Sequence, residues 1–328
     1  RSKPDFSFPF RSETATVIED LLKKNDHWLL KYQLALIYKD RNRLDEAKAL
    51  LAACGSTPPY APFYSVRAQI NGAGDPASKE ADLKKALSID GQWRNVKALA
   101  EYHLAQRQFD QALALATPYH QAHPDDYIMG MLQARTLILN GKYAEADAIL
   151  SKINVIPFEG ATSGHELYRQ AKLMLAMQQM EKKNHKGALA LIDQARLWPE
   201  NLGVGKPYDE SLDPRLEDWL SAQCFTAMKD KAKADAMVRR VLQFTPKVEN
   251  TVSNFYPSNS LITAMAYERT GEKDKARAFL ENMDKAHPGN TGIQWSRDVF
   301  EGEQHRAVPE EKKESNLLLI EEMLKRKL

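Results

Sequence analysis

The chain has 328 residues, 43% hydrophobic and 27% charged, with a formal net charge of +2. That length is ample for a sizeable core, and the composition is ordinary for a soluble protein. Charges of both signs are interspersed, which leaves no electrostatic footprint for nucleic acid, and no apolar run approaches the roughly 18 residues of a membrane span.

The sequence starts at Arg1 without an initiator methionine or a charged apolar leader, as expected of an excised piece or processed form. Compartment is therefore left open. Cys54 and Cys224 are too few for a disulfide framework, and each lies in an apolar helical stretch, so both are expected to be small buried hydrophobes.

Residues 1–27 read as an entering segment whose "TATVIEDLLKKN" (Thr14 to Asn25) has helical apolar spacing. From Trp28 a pattern recurs. "RLDEAKALL", "QFDQALALA", "KYAEADAIL", "NHKGALALI", "DKAKADAMV" and "EKDKARAFL" each place an alanine early in a helix after a polar turn. These alanines are Ala47, Ala112, Ala146, Ala188, Ala234 and Ala276, and twelve residues before each stands another: Ala35, Ala100, Ala134, Ala176, Ala222 and Ala264. Two small residues at a fixed offset let paired antiparallel helices approach closely. A less regular unit fits between the first and third, with Arg67 and Lys79 at its small positions.

Gly141 and Gly271 precede second helices, and Pro59, Pro124, Pro246 and Pro288 end units. On these residues the chain resembles the tetratricopeptide repeat. The resemblance implies an all-α, right-handed superhelical solenoid of about seven helix pairs over residues 28–288. Residues 289–328 would supply C-terminal capping helices. "IQWSRDVFEG" is the first helix of an eighth unit, "QHRAVPEEKKE" a solvated linker, and "SNLLLIEEMLKRKL" a closing helix that covers the last apolar face.

Spacing between the second-helix positions widens after Ala146, and the extra residues collect in "NVIPFEGATSGHE", "LWPENLGVGKPYDESLDP" and "KVENTVSNFYPSN". All three fall between units, so they are expected to project from one edge, a common place for a binding face. In repeat register, the fifth residue of each first helix points to the concave surface. Those residues are Tyr32, Tyr64, Lys97, Met131, Leu173, Trp219 and Leu261, with Arg94, Glu101 and Arg135 alongside. They outline either an apolar-aromatic groove with a basic middle, suited to an extended peptide or a sugar, or rings packed on the next unit.

No set of residues suited to catalysis emerges. "NLGVGKPYD" has Glu200 where a phosphate loop needs its first glycine and Pro207 where it needs Ser or Thr. His120 and His123 close a repeat beside Pro124 and lack a further metal ligand. The reading implies no enzyme, no cofactor and no metal. Pro199 and Pro207 stop helices, while Gly203 and Gly205 permit positive φ or close backbone approach. Trp198, Glu200, Asn201, Lys206 and Tyr208 could then be aimed in one direction by a rigid loop, or could cap the flanking helices.

The segment Pro199, Glu200, Asn201, Leu202, Gly203, Gly205, Lys206 and Pro207 is similar to one in large bacterial proteins. Those proteins join a mutarotase-like β-sandwich domain of uncharacterised role to tetratricopeptide repeats. The resemblance implies a non-catalytic scaffold that binds a partner protein, a peptide, or such a sandwich domain of its own polypeptide, through the concave face and inter-repeat loops. The alternative is a repeat region that shapes the carbohydrate cleft of an enzyme whose catalytic domain lies elsewhere.

Overall fold

The computed structural model describes residues 8–71, 75–158, 161–245, 255–302 and 315–328. The linker over 304–314, Pro246 and most of the third insertion fall outside these residues, as do Glu159 and Gly160 of the first. Among the described residues there are seventeen α-helices and no strand, so the chain is of the all-α helical-repeat class. Two compact units divide it, Arg1–Ala122 and His123–Leu328.

In the first unit α1 (Ser12–Leu22) packs on α2 (Trp28–Asp40), which pairs with α3 (Leu44–Ala52). The pairs α4 (Ala61–Asn71) with α5 (Pro76–Ile89) and α6 (Trp93–Ala105) with α7 (Phe109–Ala122) follow. The second unit contains α8 (Tyr127–Leu139) with α9 (Tyr143–Leu150) and α10 (Ser163–Glu181) with α11 (His185–Ala195). It continues with α12 (Arg215–Ala227) and α13 (Lys231–Gln243), then α14 (Asn259–Arg269) and α15 (Lys273–Ala286). The described helices thus form seven pairs. α16 (Thr291–Glu301) packs on α14 and α15 as the first helix of a further unit.

All twelve alanines of the repeat pattern are buried, none more than 2% exposed. In the second pair the buried small residue is Ala68, one position beyond the expected Arg67. Arg67 instead forks across the pair onto the buried carboxylate of Asp82, at 2.8 and 2.5 Å. A bidentate ion pair fills the crossing that alanines fill elsewhere. Lys79 is half-buried, with its ammonium 5.9 Å from the Tyr102 ring. Cys54 and Cys224 are free and buried, as expected.

Six turns between paired helices share one geometry among the described residues. Asn42, Arg107, Gly141, Lys183, Lys229 and Gly271 all have positive φ, between 57° and 82°. The next residue's N–H then donates back to a carbonyl five residues earlier, as in Arg43 to Tyr38 at 2.8 Å and Asp230 to Phe225 at 2.9 Å. This closes the first helix in a left-handed cap. Asp126, Asn184 and Asp230 start the following or neighbouring helices by accepting from the N–H of Met129, Gly187 and Lys233.

The closing helix departs from expectation. α17 (Ser315–Lys325) packs principally against α10, a first helix well back in its unit, rather than covering α16. Its Asn316, Leu317, Leu319, Ile320 and Met323 are each no more than 1% exposed. A surface cap would keep one flank in water, whereas every described position from Ser315 to Leu324 is at least partly buried.

Candidate interaction site

Two inter-repeat segments meet in the second unit, the one after α9 and the one between α11 and α12. Asn201 Nδ2 donates to the carbonyls of Leu150 and Ile153, both at 2.9 Å, and its own carbonyl accepts from Val155 N–H at 2.8 Å. Gly203 has φ +65°, and a Cβ there would lie 2.8 Å from the Val155 oxygen. The same loop presses on α10, because a Cβ on Gly164 would come 2.6 Å from the Leu202 oxygen. Leu202 and Val204 are buried beneath it.

Trp198 lies half-buried on His165 of α10, ring centroids 3.5 Å apart and planes within 5°. His165 is buried, and that desolvation, with the nearby Arg169 cation, lowers its pKa to about 4. Of the expected loop contacts, Asn201, Gly203 and Trp198 are therefore structural parts of the loop. Glu200, Gly205, Lys206 and Tyr208 face outward; Lys206 pairs with Asp209 at 2.7 Å, and Tyr208 is 80% exposed.

Large apolar side chains are exposed beside these charges. Ile156 (66%), Phe158 (68%), Leu197 (56%) and Tyr208 are all large, exposed and carried by these two packed segments. Ile156 and Phe158 were not singled out in the sequence, since an isoleucine and a phenylalanine in an irregular stretch carry no periodic signal. Of the third insertion, Tyr256 is described: its N–H donates to Asp213 Oδ2 at 3.2 Å.

The residues expected on a concave groove are largely interior. Tyr32 and Tyr64 are each 1% exposed and Trp219 3%, and Leu173 and Leu261 are also buried. Tyr32 packs against Tyr60 and Phe63, the latter with Tyr64 edge-on at 5.0 Å. Tyr64 Oη donates to the Ser56 carbonyl at 2.8 Å. These rings fill space between neighbouring pairs, the second of the two expected arrangements, so they do not line an open aromatic groove. Met131 is half-buried; Lys97 is half-buried and pairs with exposed Glu101 at 2.5 Å; Arg94 and Arg135 are exposed.

A buried polar chain crosses the first helices instead. Arg169 of α10 donates from Nε to Glu217 of α12 and from a terminal nitrogen to Asn316 of α17, whose Nδ2 donates to Asn259 Oδ1 of α14 at 2.7 Å. Burial pushes the Glu217 carboxyl up, but the Arg169 guanidinium outweighs it and holds the group below its usual value. Arg215 forks onto Asp213 at 2.8 and 2.6 Å and donates to Thr263 Oγ1 at 3.0 Å. Desolvation raises the Asp218 pKa although Arg196 and Arg240 approach to 2.8 and 3.2 Å. Periodicity hid these charges, because a lone Arg or Glu between buried positions reads as a solvated face.

No group of His, Cys, Asp and Glu suited to a metal occurs among the described residues, and none of their helices is long and apolar enough to cross a membrane. Residues 97–152 and 260–290 match models of the tetratricopeptide repeat. No curated protein matches the chain. The crystal structure of a tetratricopeptide repeat protein from Parabacteroides merdae is similar at TM-score 0.50 and 13% identity, over 87% of this chain and 99% of that one. The C-terminal part of a repeat-containing protein from Cytophaga hutchinsonii gives 0.53 at 16%, over 73% and 92%. At these identities the likeness is one of fold. The matched segments, residues 97–152 and 260–290, are thus similar to the tetratricopeptide repeat, and the rest of the chain shares its helix-pair fold.

Proposed function

We propose that this chain is a non-catalytic scaffold that binds a partner protein at the edge where its two long inter-repeat segments meet. The observation that carries this is the set of exposed apolar side chains Ile156, Phe158, Leu197 and Tyr208. Large apolar groups left in water on two segments that pack together mark a candidate protein contact. Asn201 and Gly203 hold the edge rigid, so little ordering cost accompanies binding. The buried carboxylates Asp213, Glu217 and Asp218 are each held by arginines, an arrangement that supports structure rather than acid-base chemistry.

The resemblance of the Pro199–Pro207 loop makes a β-sandwich domain of the same polypeptide the first partner to test. Changing Phe158 and Tyr208 to serine should leave the helical spectrum intact and weaken capture of that domain, supplied as a separate chain, at least tenfold. Equal capture by the two forms would refute the edge as the contact surface.

A further inference from the structure

The segment after α9 has one of its two main-chain edges occupied. Ile153, Val155 and Pro157 all turn their main chain toward the loop of residues 199–207. The Ile153 carbonyl accepts from Asn201 Nδ2 at 2.9 Å, and Val155 N–H donates to the Asn201 carbonyl at 2.8 Å. The Val155 oxygen and the Pro157 nitrogen lie 2.8 and 3.2 Å from where a Cβ on Gly203 would stand. Side chains alternate as well: Ile153 is buried and Val155 half-buried, whereas Asn154, Ile156 and Phe158 are exposed. A period of two in both main-chain direction and burial is that of a β-strand.

In a strand, successive residues point their N–H and C=O groups to opposite edges. Residues 154, 156 and 158 therefore turn theirs away from the loop. Among the described residues, no hydrogen bond reaches the main chain of Asn154 or Ile156, or the N–H of Phe158. Folded proteins blunt such an edge with charge, or with a proline whose missing N–H faces outward. Neither device is present here. Asn154 to Phe158 is uncharged, and Pro157 has its nitrogen on the loop side, so the outer edge keeps its donors.

We infer that residues 154–158 are a receiving edge for a β-strand of the partner protein, which pairs with them on the side opposite the 199–207 loop. Main-chain donors and acceptors that recur at roughly 6.6 Å match an extended chain, because a helix already pairs its own N–H and C=O groups. Ile156 and Phe158, on one face, select apolar side chains at alternate positions of the incoming strand. The strand site takes its partner from the loop-edge reading, on which it rests, and names what that partner presents.

The test measures binding of a fluorescent heptapeptide of alternating threonine and valine to the full chain, to Ile156→Pro and to Ile156→Thr. Proline removes the central outward donor, whereas threonine keeps it and changes only an exposed side chain. Fluorescence anisotropy should show binding to the unaltered chain, a loss of at least tenfold with Ile156→Pro and a loss below threefold with Ile156→Thr. A peptide with adjacent prolines at its centre, which lacks donors on both edges, should not bind. In the unaltered chain, the Ile156 and Phe158 amides should exchange slowly only with peptide bound, a readout that needs no variant. Absence of peptide binding, equal losses in the two variants, or fast exchange in the complex would overturn the inference. So would a dimer of the unaltered chain that Ile156→Pro splits, since a second copy would then occupy the edge. Sandwich capture weakened by the serine changes at Phe158 and Tyr208 but not by Ile156→Pro would overturn the strand and leave the loop-edge reading standing. Peptide binding lost in Ile156→Pro, with sandwich capture unchanged by those serines, would retire the loop-edge reading and leave the strand standing.

Discussion

The His165 imidazole lies flat against the Trp198 indole, 3.5 Å between centroids, in a pocket where a proton on the ring is disfavoured. Its pKa falls to about 4 in the folded chain from an ordinary 6.5. As pH drops, the unfolded chain takes up the proton first. The stability from keeping this ring neutral is complete above about pH 6.5 and is lost as pH falls toward 4, by roughly 3 kcal/mol in all. Stability measured at pH 7.5 and 4.5 for the unaltered chain and for His165→Gln should show the difference between them shrink by about 2–3 kcal/mol. Parallel pH profiles would mean that the ring is solvated.

Alanine pairing sets the distance between helices, so enlarging it should be costly. Ala134 and Ala222 are fully buried, and leucine at either position overpacks a close crossing, with an expected loss of about 1–3 kcal/mol. Lys233→Ala removes an exposed ion pair with Asp230 and should stay within about 0.5 kcal/mol. Urea denaturation of the three variants checks both, and similar losses would place the repeat register wrongly.

The left-handed turns give a stabilising prediction. Lys229 is exposed with φ 62°, a conformation that glycine adopts without strain. Lys229→Gly should stabilise by about 0.5–1 kcal/mol, because relief of strain exceeds the extra entropy of the unfolded glycine. Gly141→Ala, at φ 72°, should destabilise by about 1 kcal/mol. Thermal melts of the pair should shift in opposite directions.

The alanine pairs were legible because close helix packing writes small residues at a fixed offset. The second pair was misread by one residue, since Arg67 and Asp82 replace a steric rule with an ion pair that local sequence does not announce. The turn geometry was legible only at Gly141 and Gly271. At Asn42, Arg107, Lys183 and Lys229 the capping hydrogen bonds override the side chain's own preference. The aromatic positions were found but their direction was not, because rings such as Tyr32 and Tyr64 fill the space between pairs. The polar chain was beyond reach: Arg169 lies 48 residues from Glu217 and 147 from Asn316, separations that no local pattern spans.

Asn201 offers the sharpest test of the loop. Its side chain satisfies two carbonyls, those of Leu150 and Ile153, that end α9 and begin the neighbouring segment. Asn201→Ala would leave both acceptors without this donor and should cost about 2 kcal/mol. Gly203→Ala should cost at least as much, because a Cβ 2.8 Å from the Val155 oxygen adds a clash to the strain of a positive φ. Glu200→Ala and Lys206→Ala change exposed side chains outside this clamp and should stay within about 0.5 kcal/mol of the unaltered chain. Chemical denaturation of the four variants separates the residues that build the edge from those that only face outward. If Asn201→Ala unfolds with the unaltered chain while Glu200→Ala and Lys206→Ala do not, the clamp is misassigned, and the outward polar side chains hold the two segments together.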